Sequence, residues 1–168
     1  MLRAKGTIHV FTFKEGVLSA VAHDLRIRAE RFDVTLDGEQ VRADIDLKSL
    51  FVDGPMEGGV LQEGKYDAGR RADVEKAMHA DVLHTDQHPN ALFTGTATPT
   101  ADGYDVAGKL QLAGNEQPLS FTVRNDAGIY RAQFEIQPSR WRISQYKALL
   151  GAIKLKDVVR VELALSEA

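Results

Sequence analysis

The sequence contains no cysteine, which excludes thiol catalysis, thiolate metal sites and disulfides. It has no excess of positive charge: 21 Lys and Arg stand against 24 Asp and Glu, a formal net charge of -3. Phosphate neutralisation along a nucleic acid needs a basic face, so no nucleic-acid partner is expected. No window approaches the roughly 18 consecutive apolar residues of a spanning helix, so stable membrane insertion is not expected either. Met1-Leu2-Arg3-Ala4-Lys5-Gly6 runs at once into Thr7 to Phe13 with no apolar core of signal-peptide length. The expectation is a cytoplasmic protein, or a periplasmic or secreted one where a leader precedes this sequence. There is no GxSxG, no Gly-rich phosphate loop and no carboxylate pair whose placement the sequence fixes. No catalytic residue, metal or cofactor is assigned, and the chain is read as a non-enzyme.

What is present is alternation. Leu110 and Leu112, then Leu119, Phe121 and Val123, then Tyr130, Ala132, Phe134 and Ile136, then Val159, Val161, Leu163 and Leu165 occupy every second position, with polar residues between them. A period of two puts the apolar side chains of a strand on one face. Several such strands in succession call for an antiparallel sheet wrapped around its own interior.

The same pattern opens the chain. Thr7 to Phe13 and Val17 to Ala22 flank Lys14-Glu15-Gly16 as a hairpin, with Leu25 and Ile27 continuing its second strand. Phe32, Val34 and Leu36 are joined through Asp37-Gly38 to Val41, Ala43, Ile45 and Leu47. The glycine-rich stretch Asp53 to Arg71 has little propensity for regular structure. Val74, Met78 and Val82 fall four apart and predict one short helix, with Asp73 as N-cap and an end before Pro89. Strands resume at Ala91 to Thr98, Tyr104 to Leu112, Pro118 to Val123 and Ile129 to Ile136. Ser139 to Leu150 reads as irregular with a helical turn around Tyr146 to Leu150, and Ile153 to Leu165 closes the set. Residues 1–168 thus form one all-β domain, an antiparallel up-and-down barrel of about eight strands with one short helix.

Several segments, in order, resemble the YceI-like family of lipocalin-like lipid-binding proteins. They are Asp86-Gln87-His88-Pro89-Asn90-Ala91-Leu92-Phe93-Thr94-Gly95-Thr96, the run Gly103 to Gly114 followed by Pro118 to Val123, and Leu150-Gly151-Ala152-Ile153-Lys154-Leu155-Lys156-Asp157-Val158-Val159. Arg31 precedes Phe32 where a glycine is common in the family. The resemblance implies an extended barrel around an apolar tunnel that binds a polyisoprenoid or similar long-chain amphiphile, for transport or storage.

Candidate ligand contacts follow from the inward phase: Phe32, Val34, Ile45, Leu47, Phe93, Leu110, Leu112, Phe121 and Phe134. The small residues Ala43, Gly95, Ala97, Gly108 and Ala132 among them can leave room for a ligand. Arg140, Trp141 and Tyr146 form a candidate rim, a cation beside aromatics that can hold a head group and cover a tail. Arg26, Arg28 and Arg31 also cluster, but alternation turns the first two to solvent, with Asp24, Glu30 and Asp33 to offset them. His84 and His88 have a spacing used by zinc sites, yet Pro89 makes a helix there improbable and no HExxH pattern forms. Phe11, Phe13, Leu18 and Ala20 permit a homodimer contact. Two other readings stay open: an enzyme acting on an apolar substrate, and a filled barrel used as a structural or partner-binding module.

Overall fold

The computed structural model describes residues 1–15, 23–148 and 153–168. Its strands are β1 (Leu2–Lys14), β2 (Asp24–Ala29), β3 (Phe32–Asp37), β4 (Gln40–Asp46), β5 (Leu50–Glu57), β6 (Val60–Leu61), β7 (Asn90–Pro99), β8 (Gly103–Leu112), β9 (Asn115–Asp126), β10 (Ile129–Ile136), β11 (Lys147–Ala148) and β12 (Ile153–Glu167). Eight of them close a ring in the order β1, β3, β4, β7, β8, β9, β10, β12 and back to β1, every pair antiparallel. Closure removes the free edges that an open sheet would expose. The up-and-down barrel read from the alternation is the fold found.

The long strand β1 makes the ring possible and also breaks its regularity. One edge pairs with β12 along its length. The other is shared, residues 2–4 pairing with β3 and residues 9–12 with β2. The strand β2 then continues into β5 and β6 as a flap outside the ring. The segment between β4 and β7 carries this flap and one helix, α1 (Ala68–Ala77).

Three expectations change here. The stretch from Asp53 to Arg71 is not irregular: it holds the end of β5, all of β6 and the first turn of α1. Gly54 and Pro55 are accommodated because β5 lies at the margin of the sheet, where a missing N–H and a bulge cost little. The helix starts six residues earlier than the spacing of Val74 and Met78 indicates, with Asp67 rather than Asp73 as N-cap. The Asp67 carboxylate accepts the Arg70 N–H at 2.8 Å, so Gly69 sits inside the first turn. Beyond Ala77 the helix widens into a π turn, Met78–Val82, with the Leu83 N–H donating to Met78 O at 2.9 Å. Around Tyr146, Lys147 and Ala148 pair with Lys154 and Ile153 as a short ribbon, not a helical turn; Leu149 and Leu150 lie outside the described residues. The expected strand Val17 to Ala22 also lies outside them, as do Leu18 and Ala20.

The apolar side chains fall into two clusters. The larger fills the ring around Ile8, Phe93, Val106, Leu110, Ile136, Trp141, Val161 and Leu165. The smaller joins Leu25, Ile27, Val52 and Tyr66 under the flap, with Val74 and Met78 of α1 packed against it.

Candidate ligand-binding site

Inside the ring, burial is uneven in an informative way. Strands β7, β8, β10 and β12 each place fully buried residues on the inner face, as in Ala132 and Ile136 of β10. Strands β3, β4 and β9 do not: Phe32, Val34 and Leu36, then Val41, Ala43 and Ile45, then Leu119, Phe121 and Val123 all remain half-buried while alternating with outward neighbours. In the ring order, β9 stands directly across from β3. These half-buried side chains pack against the larger apolar cluster while keeping partial contact with solvent.

Aromatic rings pack together in this part of the interior. Phe121 stacks on Phe134 with centroids 4.3 Å apart, and Phe93 lies 5.8 Å from Phe121. The Phe93 ring occupies the space above Gly108, its Cζ 2.8 Å from where a Cβ would stand, so this glycine makes room for a ring rather than for a ligand. Trp141 is 1% exposed, and its Nε1 donates to Leu110 O at 2.8 Å. Arg140 is exposed with its guanidinium 5.3 Å from the Trp141 ring centre. Leu47 is buried in a 3-10 turn (Leu47–Ser49) at the end of β4, and Leu112 packs half-buried at the end of β8. The inward candidates from Phe32 to Phe134 thus gather in one cluster, whereas Tyr146 lies apart from them, on a second feature.

That feature is a cavity of about 300 Å³ between α1 and the barrel, within the size range of small-ligand pockets. Leu25, Ile27, Val74, Met78, Val82 and Leu155 supply its apolar lining. Val74, Met78 and Val82 share one face of the helix, as their spacing requires. Thr12, His23, Tyr66, Arg70, Asp73 and Tyr146 supply polar atoms. Among the described residues, Thr12 Oγ1 is buried with no hydrogen-bond partner. His23 lies edge-on to Tyr66 at 6.1 Å, and Arg70 covers the other part of that ring at 4.7 Å. Burial, then the charges of Arg70, Lys65 and Lys14, hold the His23 pKa below the usual 6.5, so the ring is neutral near pH 7. Sequence reasoning missed Thr12, His23, Tyr66 and Leu155, which converge only when β1, β2, β12 and α1 meet.

The helix is fastened to the barrel by two polar contacts. The Val52 N–H donates to Glu75 Oε1 at 3.0 Å, and Arg71 Nε donates to Val52 O at 2.9 Å. A carboxylate and a guanidinium thus satisfy the backbone that β5 would offer to another strand. No residue of α1 is fully buried.

On the outer wall, Arg26 and Arg28 do not simply face solvent. Both bind the Asp53 carboxylate, Arg26 Nε at 2.9 Å and Arg28 through Nη1, and that side chain is 3% exposed. Asp53 is the extra residue of a bulge, since Arg26 pairs with Gly54 and Ile27 with Val52. The bulge aims it at the arginines. Arg31 pairs with Asp46 at 2.8 Å. Phe11 is 6% exposed because Arg160 lies 4.5 Å over its ring, and Arg160 also lies 5.6 Å from Phe13. His79 Nδ1 is 3.1 Å from Thr85 Oγ1, and His88 packs on Gly114; among the described residues no three potential ligands gather around a metal position.

A family model described as YceI-like domain matches residues 4–166. Comparison with curated proteins returns no match. Among solved structures, the chain is similar to Burkholderia cenocepacia BcnA, with a TM-score of 0.64 and 16% identity over 95% of this chain and 94% of that one. It is similar to a polyisoprenoid binding domain from Saccharophagus degradans implicated in plant cell wall breakdown, with a TM-score of 0.64 and 13% identity over 99% and 98% of the two chains. A Campylobacter jejuni YceI protein superimposes with a TM-score of 0.55 and 11% identity over 84% of each chain. At these identities the likeness is one of fold.

Proposed function

Because the chain belongs to the YceI-like domain family, we propose that it binds a long-chain apolar amphiphile, a polyisoprenoid or fatty-acid-like lipid, without turning it over, and so carries or stores it. The observation that carries this reading is the half-buried inner faces of β3, β4 and β9 in a closed ring, with β3 opposite β9. Phe32, Val34, Ile45, Leu112, Phe121 and Phe134 contact the chain, with Leu47, Phe93 and Leu110 behind them. Of the expected rim, only Arg140 is exposed; Trp141 is buried in the core and Tyr146 lies on the separate cavity under α1. The binding of one solved neighbour, named for polyisoprenoid binding, supports the same class of cargo.

The driving force is removal of hydrocarbon from water, about 0.8 kcal/mol for each methylene buried, less the cost of ordering a flexible chain. Affinity should therefore climb with chain length and level off once the interior is full. Native mass spectrometry of protein purified from cells, followed by organic extraction and thermal melts with prenyl alcohols of increasing length, tests this. A co-purified lipid and a length-dependent rise in Tm are expected. No bound lipid together with no thermal shift at any length overturns the reading.

A further inference from the structure

The cavity beneath α1 has no part in the barrel reading above, yet it combines an apolar lining with a few convergent polar groups, the make-up of a small-ligand site. Its floor is the inner face of β2, where the buried Leu25 and Ile27 alternate with the outward Arg26 and Arg28. Its roof is one side of the helix, the half-buried Val74, Ala77 and Met78. Val10 and Leu50 pack on both apolar clusters and mark the boundary between this region and the barrel interior. At about 30 Å³ for each water-sized unit, 300 Å³ gives room for about ten non-hydrogen atoms. That suits a compact molecule and not a long chain.

The polar end of the cavity is positive. Arg70 is exposed, covers the buried Tyr66 ring and forms no ion pair among the described residues. The charges that act most strongly on His23, on the other part of that ring, are those of Arg70, Lys65 and Lys14. The acid that opposes them is Glu57, itself paired with Lys65. Asp73 also lines the cavity, three residues along the helix from Arg70, but it is not among these strongest charges. Where His23, Tyr66 and Arg70 meet, an anion is therefore favoured over a cation.

We propose that the α1 cavity is a second binding site, separate from the barrel interior, for a compact apolar carboxylate. Its hydrocarbon part lies against Leu25, Ile27, Val74 and Met78, and its carboxylate at Arg70 beside His23. Burial of the hydrocarbon drives binding, and the planar guanidinium, suited to a carboxylate, selects the head. The site stands whether or not the barrel takes a lipid. A bound anion offsets the cations that keep the His23 ring neutral, so the His23 pKa rises on binding and affinity grows as pH falls through it.

NMR titration of the full chain with phenylpropionate, phenylpropanol and phenylpropylamine tests this, since the three share one hydrocarbon body and differ in the charge of the head. The His23 ring and Met78 methyl signals should shift, with the acid binding about fivefold more tightly than the alcohol and the amine most weakly. The His23 pKa should rise with the acid and not with the alcohol. Arg70→Gln, at an exposed position, should erase the acid's advantage, and Ala77→Leu should weaken acid and alcohol alike by filling the cavity. Both variants should leave prenyl-alcohol contacts at Val34 and Val123 unchanged. Shifts confined to barrel methyls, a preference for the amine, an acid advantage that survives Arg70→Gln, or displacement of the acid by prenyl alcohol overturns the proposal. Acid bound at His23 and Met78 with no prenyl alcohol in the barrel rejects the cargo reading alone. Prenyl alcohol in the barrel with no acid at His23 and Met78 rejects the second site alone.

Discussion

Asp53 shows what a single side chain contributes that its neighbours in sequence do not announce. Alternation correctly turns Arg26 and Arg28 to the outer wall, but their partner is 25 and 27 residues away, on a strand that holds glycine and proline. Only the bulge at Asp53 brings the three together. Removing its charge leaves Arg26 without its anionic partner and Arg28 with only the exposed Glu30, a loss of about 2 kcal/mol once the arginines' partial exposure is allowed for. Asp53→Asn should lower the urea midpoint accordingly. It should also act on His9, whose Nε2 is 3.9 Å from Asp53. The His9 pKa is lowered by burial first and by Arg26, while Asp53 and Glu162 pull it upward against them. Without the Asp53 charge the pKa should fall further, read by NMR titration of the His9 ring; an unchanged or raised value would mean that the carboxylate does not act on the ring. The glycines were misread for a related reason. Gly95 and Gly108 face each other across β7 and β8, and a Cβ on either would strike backbone within 2.4 Å or less. Composition cannot distinguish a glycine that frees space for a ligand from one that lets two strands and a ring approach.

Among the elements, the strands β7, β8, β10 and β12 were legible to within two residues of their ends, Ile129–Ile136 to the residue, whereas Thr7–Phe13 and Pro118–Val123 are only parts of β1 and β9. Each of those strands has one face inside and one in water, so the period of two survives intact. The flap strand β5 and the start of α1 were not legible, because their stability comes from partners: β2 on one side of β5, the side chains of Arg71 and Glu75 on the other. A helix with no fully buried residue, held by two such contacts, should open locally at small cost. Replacing Arg71 and Glu75 together by alanine should remove about 1–2 kcal/mol of that local stability. Hydrogen exchange should then accelerate roughly tenfold at the Val52 and α1 amides, and much less in β8 and β9. Uniform acceleration across the barrel would show that α1 is not a separately opening unit.

At the scale of the whole molecule, closure of the ring was readable from turn spacing, but the state of its interior was not. Alternation assigns a side chain to the inner face; whether inner side chains meet depends on which strands oppose one another. The order β1, β3, β4, β7, β8, β9, β10, β12 sets the half-buried wall of β3 against β9, while buried residues of β7, β8, β10 and β12 pack the remainder. The cavity beneath α1 was still harder to foresee, since His23, Tyr66 and Leu155 are remote from one another in the chain. The central claim is that an apolar chain inserts into the barrel between β3 and β9. It is tested most directly by isotope-edited NMR with a prenyl alcohol, recording intermolecular contacts to methyl groups. The account predicts contacts from the ligand to Val34, Ile45, Leu119 and Val123, on both walls at once. Binding with contacts only outside the barrel, and none to these four, would contradict it.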